Sequence, residues 1–236
     1  MVKLTINDRV VEVPEGTTLL EAARKVGVSI PTLCYYEAIK PYGGCRLCLV
    51  EVAAGSRTQI TASCTYPVAE GLIVQTDTPE VLEGRRLVMD LLLSRCPEVP
   101  ALQEMARQLG VMEPGFSRGE SDCILCGKCV RMCHEVQHVG AIGMVGRGRK
   151  REVLTPFGNV SQVCRTCGAC AFVCPTGHFK DIGKISGKTA KPKLSEFNVG
   201  LDTRGNIYRL YPQAVPNAPV IDAANCIQIQ TGDCGI

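Results

Sequence analysis

The chain has no tryptophan and only 5% aromatic residues in 236. Large ring-filled cores are therefore excluded, and small domains in it need another source of cohesion. Long apolar runs are missing too: the longest candidate, LVMDLLLSRC, is broken by Asp90 and Arg95, so no segment reads as a membrane span. The opening stretch MVKLTINDRVVEVPEG alternates apolar and polar residues and has neither the apolar core nor the small-residue cleavage site of a secretory leader. There is no GxxxxGK[ST] and no Ser/His/Asp or zinc-hydrolase constellation, which removes the common nucleotide-hydrolysing and hydrolytic classes. A soluble, cytoplasmic protein without membrane insertion is expected, in a compartment where thiols stay reduced.

What the chain has in excess is cysteine, with fifteen. Reduced and this dense, they point to metal. Cys123, Cys126, Cys129 and Cys133 form C-x2-C-x2-C-x3-C, and Cys164, Cys167, Cys170 and Cys174 repeat it, followed by Pro175. This is the run that holds two [4Fe-4S] clusters in bacterial ferredoxins. Three thiols spaced by two residues wrap one cubane, and the fourth, carried onto the next helical turn, reaches the other cluster. The expected ligand sets are Cys123, Cys126, Cys129 and Cys174 for one cubane, and Cys133, Cys164, Cys167 and Cys170 for the other. Structural zinc prefers two cysteine pairs separated by a longer loop, so iron and not zinc is expected. Gly127 and Gly168 follow the second Cys of each run, where a missing side chain lets backbone N–H groups approach sulfide.

A third group, Cys34, Cys45, Cys48 and Cys64, is spaced C-x10-C-x2-C-x15-C. That is the logic of plant-type [2Fe-2S] ferredoxins with a longer first loop. Its surroundings agree. Residues 3–6 and 10–13 read as short strands, TTLLEAARKVG as an amphipathic helix, and RLCLVEV and LIVQT as further strands. A small curled sheet crossed by one helix is a β-grasp, with Tyr42, Gly43 and Gly44 in the loop over the cluster.

These stretches carry a resemblance. IPTLCYYEAIKPYGGCRLCLVEV, LLLSRCP, CILCGKCVRMCHEVQHVGAIGMVGRGRK and CRTCGACAFVCPTG are similar to the small iron-sulfur diaphorase subunit of NAD-reducing hydrogenases and to the N-terminal part of the large iron-sulfur subunit of complex I. The resemblance covers residues 1 to about 180. It implies electron transfer between a flavin subunit acting on a nicotinamide and a second redox site, with the flavin on a partner chain. One departure is expected to matter. The family carries an extra cluster held by a His and three Cys after its LLLS helix, whereas here Cys96 stands in the place of that His without the partner thiols. Cys96 reads as a buried thiol and the extra cluster as absent.

His134, His138 and His178 read as surface or packing residues, because both cubanes already have four thiols. The glycines of VGAIGMVGRGRK match a dinucleotide fingerprint only loosely, since they follow a cluster loop. The formal charge of +3 counts ligand thiols as neutral; as thiolates around oxidised cores they bring the holoprotein to about −3. Nucleic acid is therefore not an expected partner. Arg46, Lys128, Arg131 and Arg165 stand beside ligands, either to offset cluster charge or as a solvated surface.

The expected fold class is α+β: a β-grasp [2Fe-2S] domain at 1–78, a helical connector at 79–119 beginning with Thr78 as cap and Pro79 in the first turn, a bacterial-ferredoxin-like two-[4Fe-4S] domain at 120–182, and an extension at 183–236. The leading functional reading is an electron-relay subunit of a flavin-linked oxidoreductase, with no catalytic residue or substrate site of its own. Hydrogenase, formate dehydrogenase and heterodisulfide reductase-type subunits are its expected partners. The alternative is a free-standing multi-cluster ferredoxin-type carrier, for which the connectors and tail are surplus. The tail stretch YPQAVPNAPVIDAANC is similar to a segment leading into a cluster motif of the heterodisulfide reductase A subunit, a family linked to electron bifurcation. By that resemblance Cys226 and Cys234 would be the first two ligands of a partial cluster site, completed by a partner chain or by a longer polypeptide. Two free thiols are the plain alternative.

Overall fold

Alternation at the N-terminus builds a hairpin. In this computed structural model, residues 1–55, 57–159, 161, 163–164 and 167–179 are described, with the backbones of 207–208 and 220–221. Strands β1 (Val2–Ile6) and β2 (Arg9–Val13) pair antiparallel, sending Leu4, Ile6, Val11 and Val13 to the buried face. The turn between them needs two left-handed residues to follow the strand twist, and Asn7 and Asp8 supply them at φ +46° and +64°. The Asn7 amide then ties the turn to Thr76: its Nδ2 donates to Thr76 Oγ1 at 2.6 Å, and its Oδ1 accepts the Thr76 N–H at 2.9 Å.

Helix α1 (Leu19–Lys25) begins with a capping box in which Thr18 and Glu21 bond each other's backbone N–H, satisfying two donors the helix would otherwise leave open. It buries Leu19, Leu20, Ala22 and Ala23 in the core beneath the sheet. Strands β3 (Leu49–Ala54), β4 (Arg57–Ala62) and β5 (Ile73–Gln75) complete that sheet in the order β2-β1-β5-β3-β4. The β1–β5 pair is parallel and the other pairs are antiparallel. This is the expected β-grasp. Strand β4 was not anticipated: it is an edge strand with Arg57, Thr58, Gln59 and Ile60 exposed, so it carries little of the half-buried alternation by which strands are read.

Helix α2 (Pro79–Arg95) starts as expected, with Thr78 Oγ1 accepting the Val81 N–H at 3.4 Å. Helix α3 (Pro100–Gln108) follows, placing Leu102 and Ala106 with Met89 and Leu93 in a second apolar cluster that also contains Leu33, Cys34, Cys45, Leu47, Cys96, Ile124 and Cys126.

The chain divides into two compact units, one of Met1–Tyr35 with Pro41–Cys126, the other of Tyr36–Lys40 with Gly127 onward. In the second unit, α4 (Lys128–Arg131) runs into a wide turn at Met132–Val136, a hairpin joins β6 (Gly143–Val145) to β7 (Glu152–Leu154), and α5 (Ala169–Phe172) follows. Gly146, at φ +74°, lies at the hairpin bend, where a Cβ would stand 2.4 Å from the Lys150 carbonyl oxygen. The VGAIGMVGRGRK stretch is thus strand and turn rather than a nucleotide loop. Ile39, Met132, Val136, Ala169 and Val173 form the small core. Glu135 accepts the Lys40 N–H at 2.8 Å and Arg131 donates to the Lys40 carbonyl, holding the 36–40 segment. A further pair, β8 (Ile207–Tyr208) with β9 (Val220–Ile221), is antiparallel. Cys226 and Cys234 lie outside the described residues.

Candidate functional site

The β-grasp brings Cys34, Cys45, Cys48 and Cys64 together. Cys34 comes from the loop after α1, Cys45 and Cys48 from the loop entering β3, and Cys64 from the turn leaving β4. All four are at most 6% exposed, and none is in a disulfide. Cys34 hydrogen-bonds the thiols of Cys45 and Cys64, and Cys64 bonds that of Cys48. These contacts hold the Cys34 thiol down to about 2, helped by the N–H groups of Cys45 and Gly44. Cys48 falls to about 6, chiefly through Cys64, while Cys45 and Cys64 are pushed up as the donors. A buried set in which protons are shared and thiolate is favoured at Cys34 and Cys48 suits metal, which replaces the remaining protons on binding.

Backbone donors meet the sulfurs. The Cys45 N–H points at Cys34 Sγ, 3.5 Å away, and Leu33 and Leu47 supply N–H bonds to Cys45. The loop Tyr42, Gly43 and Gly44 folds tightly on itself: a Cβ at Gly44 would stand 2.4 Å from the Tyr42 ring. The donor set fits a [2Fe-2S] cluster. Among the described residues no three His, Cys, Asp or Glu side chains close on a single metal ion, so the fit rests on the burial, pairing and N–H bonds of the thiols.

In the second unit, Cys133 of the first run meets Cys164, Cys167 and Cys170 of the second around one cavity, whose wall also includes Ile142, Gly168 and Ala169. Burial, then the neighbouring Cys167, Cys133 and Cys164, push Cys170 up to about 12. The Ala141 N–H donates to Cys133 Sγ at 3.3 Å, and the His178 N–H to Cys174 Sγ at 3.3 Å. Gly127 and Gly168 each precede a four-residue helix with φ +72° and +80°, a left-handed step glycine takes freely. Four thiols from two runs lining one cavity fit a cubane.

Cys123 and Cys126 close the first unit, and Cys129 and Cys174 belong to the second. Cys126 is 8% exposed and packs in the cluster that holds Cys34 and Cys45. The Cys123 carbonyl accepts from Arg95 Nε at 2.8 Å. Cys96, fully buried at the end of α2, is pushed by that burial to about 11. His134 and His138 are exposed, and His178 packs edge-on against Phe179 at 5.0 Å. Arg46 is exposed, Lys128 and Arg131 are half-buried, and Arg165 lies outside the described residues.

Arg85 was missed. It is 3% exposed and falls on the buried stripe Val81, Arg85, Met89 of α2. A cation at four-residue spacing within apolar positions was the available signal.

Residues 1–79 match the 2Fe-2S iron-sulfur cluster binding domain family, and residues 122–178 the 4Fe-4S dicluster domain family. The chain is 36% identical over 209 residues to the NADP-reducing hydrogenase subunit HndD of Solidesulfovibrio fructosivorans, covering 75% of this chain and 35% of that protein. It is 35% identical over 207 residues to an NADH-quinone oxidoreductase subunit of Rhizobium meliloti, covering 75% and 24%. With the NADPH-Fe(3+) oxidoreductase subunit alpha of Geobacter sulfurreducens it shares 34% over 227 residues, covering 84% and 26%. The chain thus spans about a quarter to a third of the length of these curated relatives. Among solved structures, a chain of an NAD+-reducing [NiFe]-hydrogenase in the H2-reduced state superposes with a TM-score of 0.63 at 26% identity, over 77% of this chain and 91% of that one. Among the described residues no helix is long and apolar enough to cross a membrane. The chain is an iron-sulfur electron-transfer segment, a [2Fe-2S] domain followed by a [4Fe-4S] dicluster domain, homologous to the N-terminal region of these hydrogenase and NADH-quinone oxidoreductase subunits.

Proposed function

We propose that this chain is the electron-relay part of a multi-subunit, flavin-linked oxidoreductase, passing electrons between a flavin-bearing partner and a hydrogenase, formate dehydrogenase or heterodisulfide reductase-type subunit. In this reading Cys34, Cys45, Cys48 and Cys64 hold the [2Fe-2S] cluster, and Cys133, Cys164, Cys167 and Cys170 hold one cubane. Cys123, Cys126, Cys129 and Cys174 hold the other, an assignment that rests on the spacing of the two runs. The bound clusters supply one-electron chemistry at potentials set by hydrogen bonds, burial and charge.

The observation that carries the proposal is the apolar cluster shared by Cys34, Cys45 and Cys126. It packs two ligands of the binuclear site and one thiol of the first run against the same Leu33, Leu47 and Ile124 side chains. A shell of that kind excludes water and keeps the dielectric low, which fixes potentials. The N–H groups aimed at Cys34, Cys45 and Cys133 stabilise thiolate charge at those sulfurs.

Anaerobic native purification tests the proposal. Co-elution with a flavoprotein and a second large redox subunit, with about ten irons per chain, is the expected result. Elution of the cluster-loaded chain alone from its native source would favour the free carrier instead, and stoichiometric zinc would remove the ligand assignment.

A further inference from the structure

Arg85 is a buried cation with too few partners. Its Nη2 donates to the Leu49 carbonyl oxygen at 2.6 Å, and Leu49 directly follows Cys48. Its nearest carboxylate oxygen, on Asp77, is 3.6 Å away on a side chain 66% exposed. Its Nε is buried with no hydrogen-bond partner among the described residues. A guanidinium taken out of water is costly unless charge and hydrogen bonds compensate it, and one carbonyl with one solvated carboxylate at arm's length does so only in part. Burial lowers its pKa, against which Asp77 and then Cys48 act, so Cys48 is within electrostatic reach.

We infer that Arg85 is the fixed counter-charge of the [2Fe-2S] site, a positioning residue that holds the Leu49 carbonyl beside Cys48 and raises the cluster's reduction potential. The inference rests on the assignment of Cys34, Cys45, Cys48 and Cys64 as its ligands. Four thiolates around an oxidised binuclear core carry a net charge of about −2, and one added electron makes it about −3. A nearby cation favours the more negative, reduced state. Asp77, 3.6 Å from the guanidinium and 66% exposed, weakens that field, but screening by solvent keeps its effect small.

The test is an EPR-monitored redox titration of anaerobically purified holoprotein, with dithionite supplying the electron through mediators. Arg85→Gln is expected to lower the reduced-to-oxidised ratio of the binuclear cluster at fixed potential about tenfold, a downward shift of ~59 mV for one electron. Arg85→Lys, which keeps the charge, should restore most of it, and Asp77→Asn at the surface should move the potential slightly upward. The cubane signals should stay in place in all three. If Arg85→Gln fails to fold, the Lys and Asn variants decide: Lys near wild type with Asn shifted upward supports the role, and Asn unchanged with Lys shifted as far as loss of charge would require overturns it. Equal shifts of all clusters, or a binuclear potential indifferent to residue 85, overturn it as well. Absence of a binuclear signal in the wild-type protein would overturn the ligand assignment and this inference with it.

Discussion

The two regions that gather thiols do so by opposite means. In the β-grasp, a five-stranded sheet and α1 form a core of Leu4, Ile6, Leu19, Leu20, Val50 and Val74, each under 2% exposed, and the four thiols sit in loops that this core positions. In the second unit the regular elements among the described residues are all short, the strands β6 and β7 at three residues and the helices α4 and α5 at four, and the buried apolar cluster described there has five residues. There the thiols are the convergence point, and side-chain burial alone supplies little of the cohesion. A scaffold can hold a site before its metal arrives, or a metal can be the scaffold. This chain contains both solutions.

Removing the metal should separate the two regions most sharply. Anaerobic chelation is expected to leave the amides of β1, β3 and α1 protected from hydrogen exchange and to abolish protection in α4, β6, β7 and α5, because cluster binding free energy becomes folding free energy where the apolar core is small. Equal loss of protection in both would erase the distinction. Cys133→Ser comes next: it should cost the second unit about four irons while leaving the binuclear EPR signal intact, and Cys48→Ser should do the reverse with about two irons. Iron analysis with EPR reads both.

Within the β-grasp, Leu20→Ala removes a fully buried side chain and should destabilise it by about 2–5 kcal/mol, measured as the urea midpoint of binuclear absorbance. Smaller still, Thr18→Ala deletes the capping hydroxyl for about 1 kcal/mol. Glu21, its partner in the box, has a carboxyl pushed up by burial but pulled lower overall by bonds from the Thr18 backbone and side chain and from Tyr35. A depressed folded pKa contributes stability above the unfolded value that is lost as pH falls through the folded one. Glu21→Gln should therefore lower the β-grasp's stability at neutral pH, change little once the pH is below the folded pKa, and so flatten the acid limb of the profile.

The same contrast explains what could be read in advance. The hairpin, α1, α2 with its Thr78 cap, α3 and the β-grasp followed from alternation, caps and spacing, because long elements with a buried face leave a periodic trace. Strand β4 left none, its first four side chains being exposed at an edge, and β6 and β7, at three residues each, are too short to show a period. The doubled run led to the expectation that Cys133 joins Cys164, Cys167 and Cys170 at one cubane; the structure places the four around one cavity. The role of Arg85 was hidden because a charge on a helix reads as solvent-facing until its neighbours at Val81 and Met89 are seen to be buried.

Exposure also sets the order in which oxygen does damage. Cys34, Cys45, Cys48 and Cys64 are sealed at 6% or less, while Cys167, which lines the cavity of the second unit, is exposed and Cys133, Cys164, Cys170 and Cys174 are partly so. Oxidants attack sulfur where they can reach it, first to sulfenic acid and then irreversibly to the higher acids. A protein handled in air would shed iron from the Cys167 side first and keep its binuclear centre longest. The ratio of binuclear to tetranuclear iron in a preparation is thus expected to rise with its exposure to air.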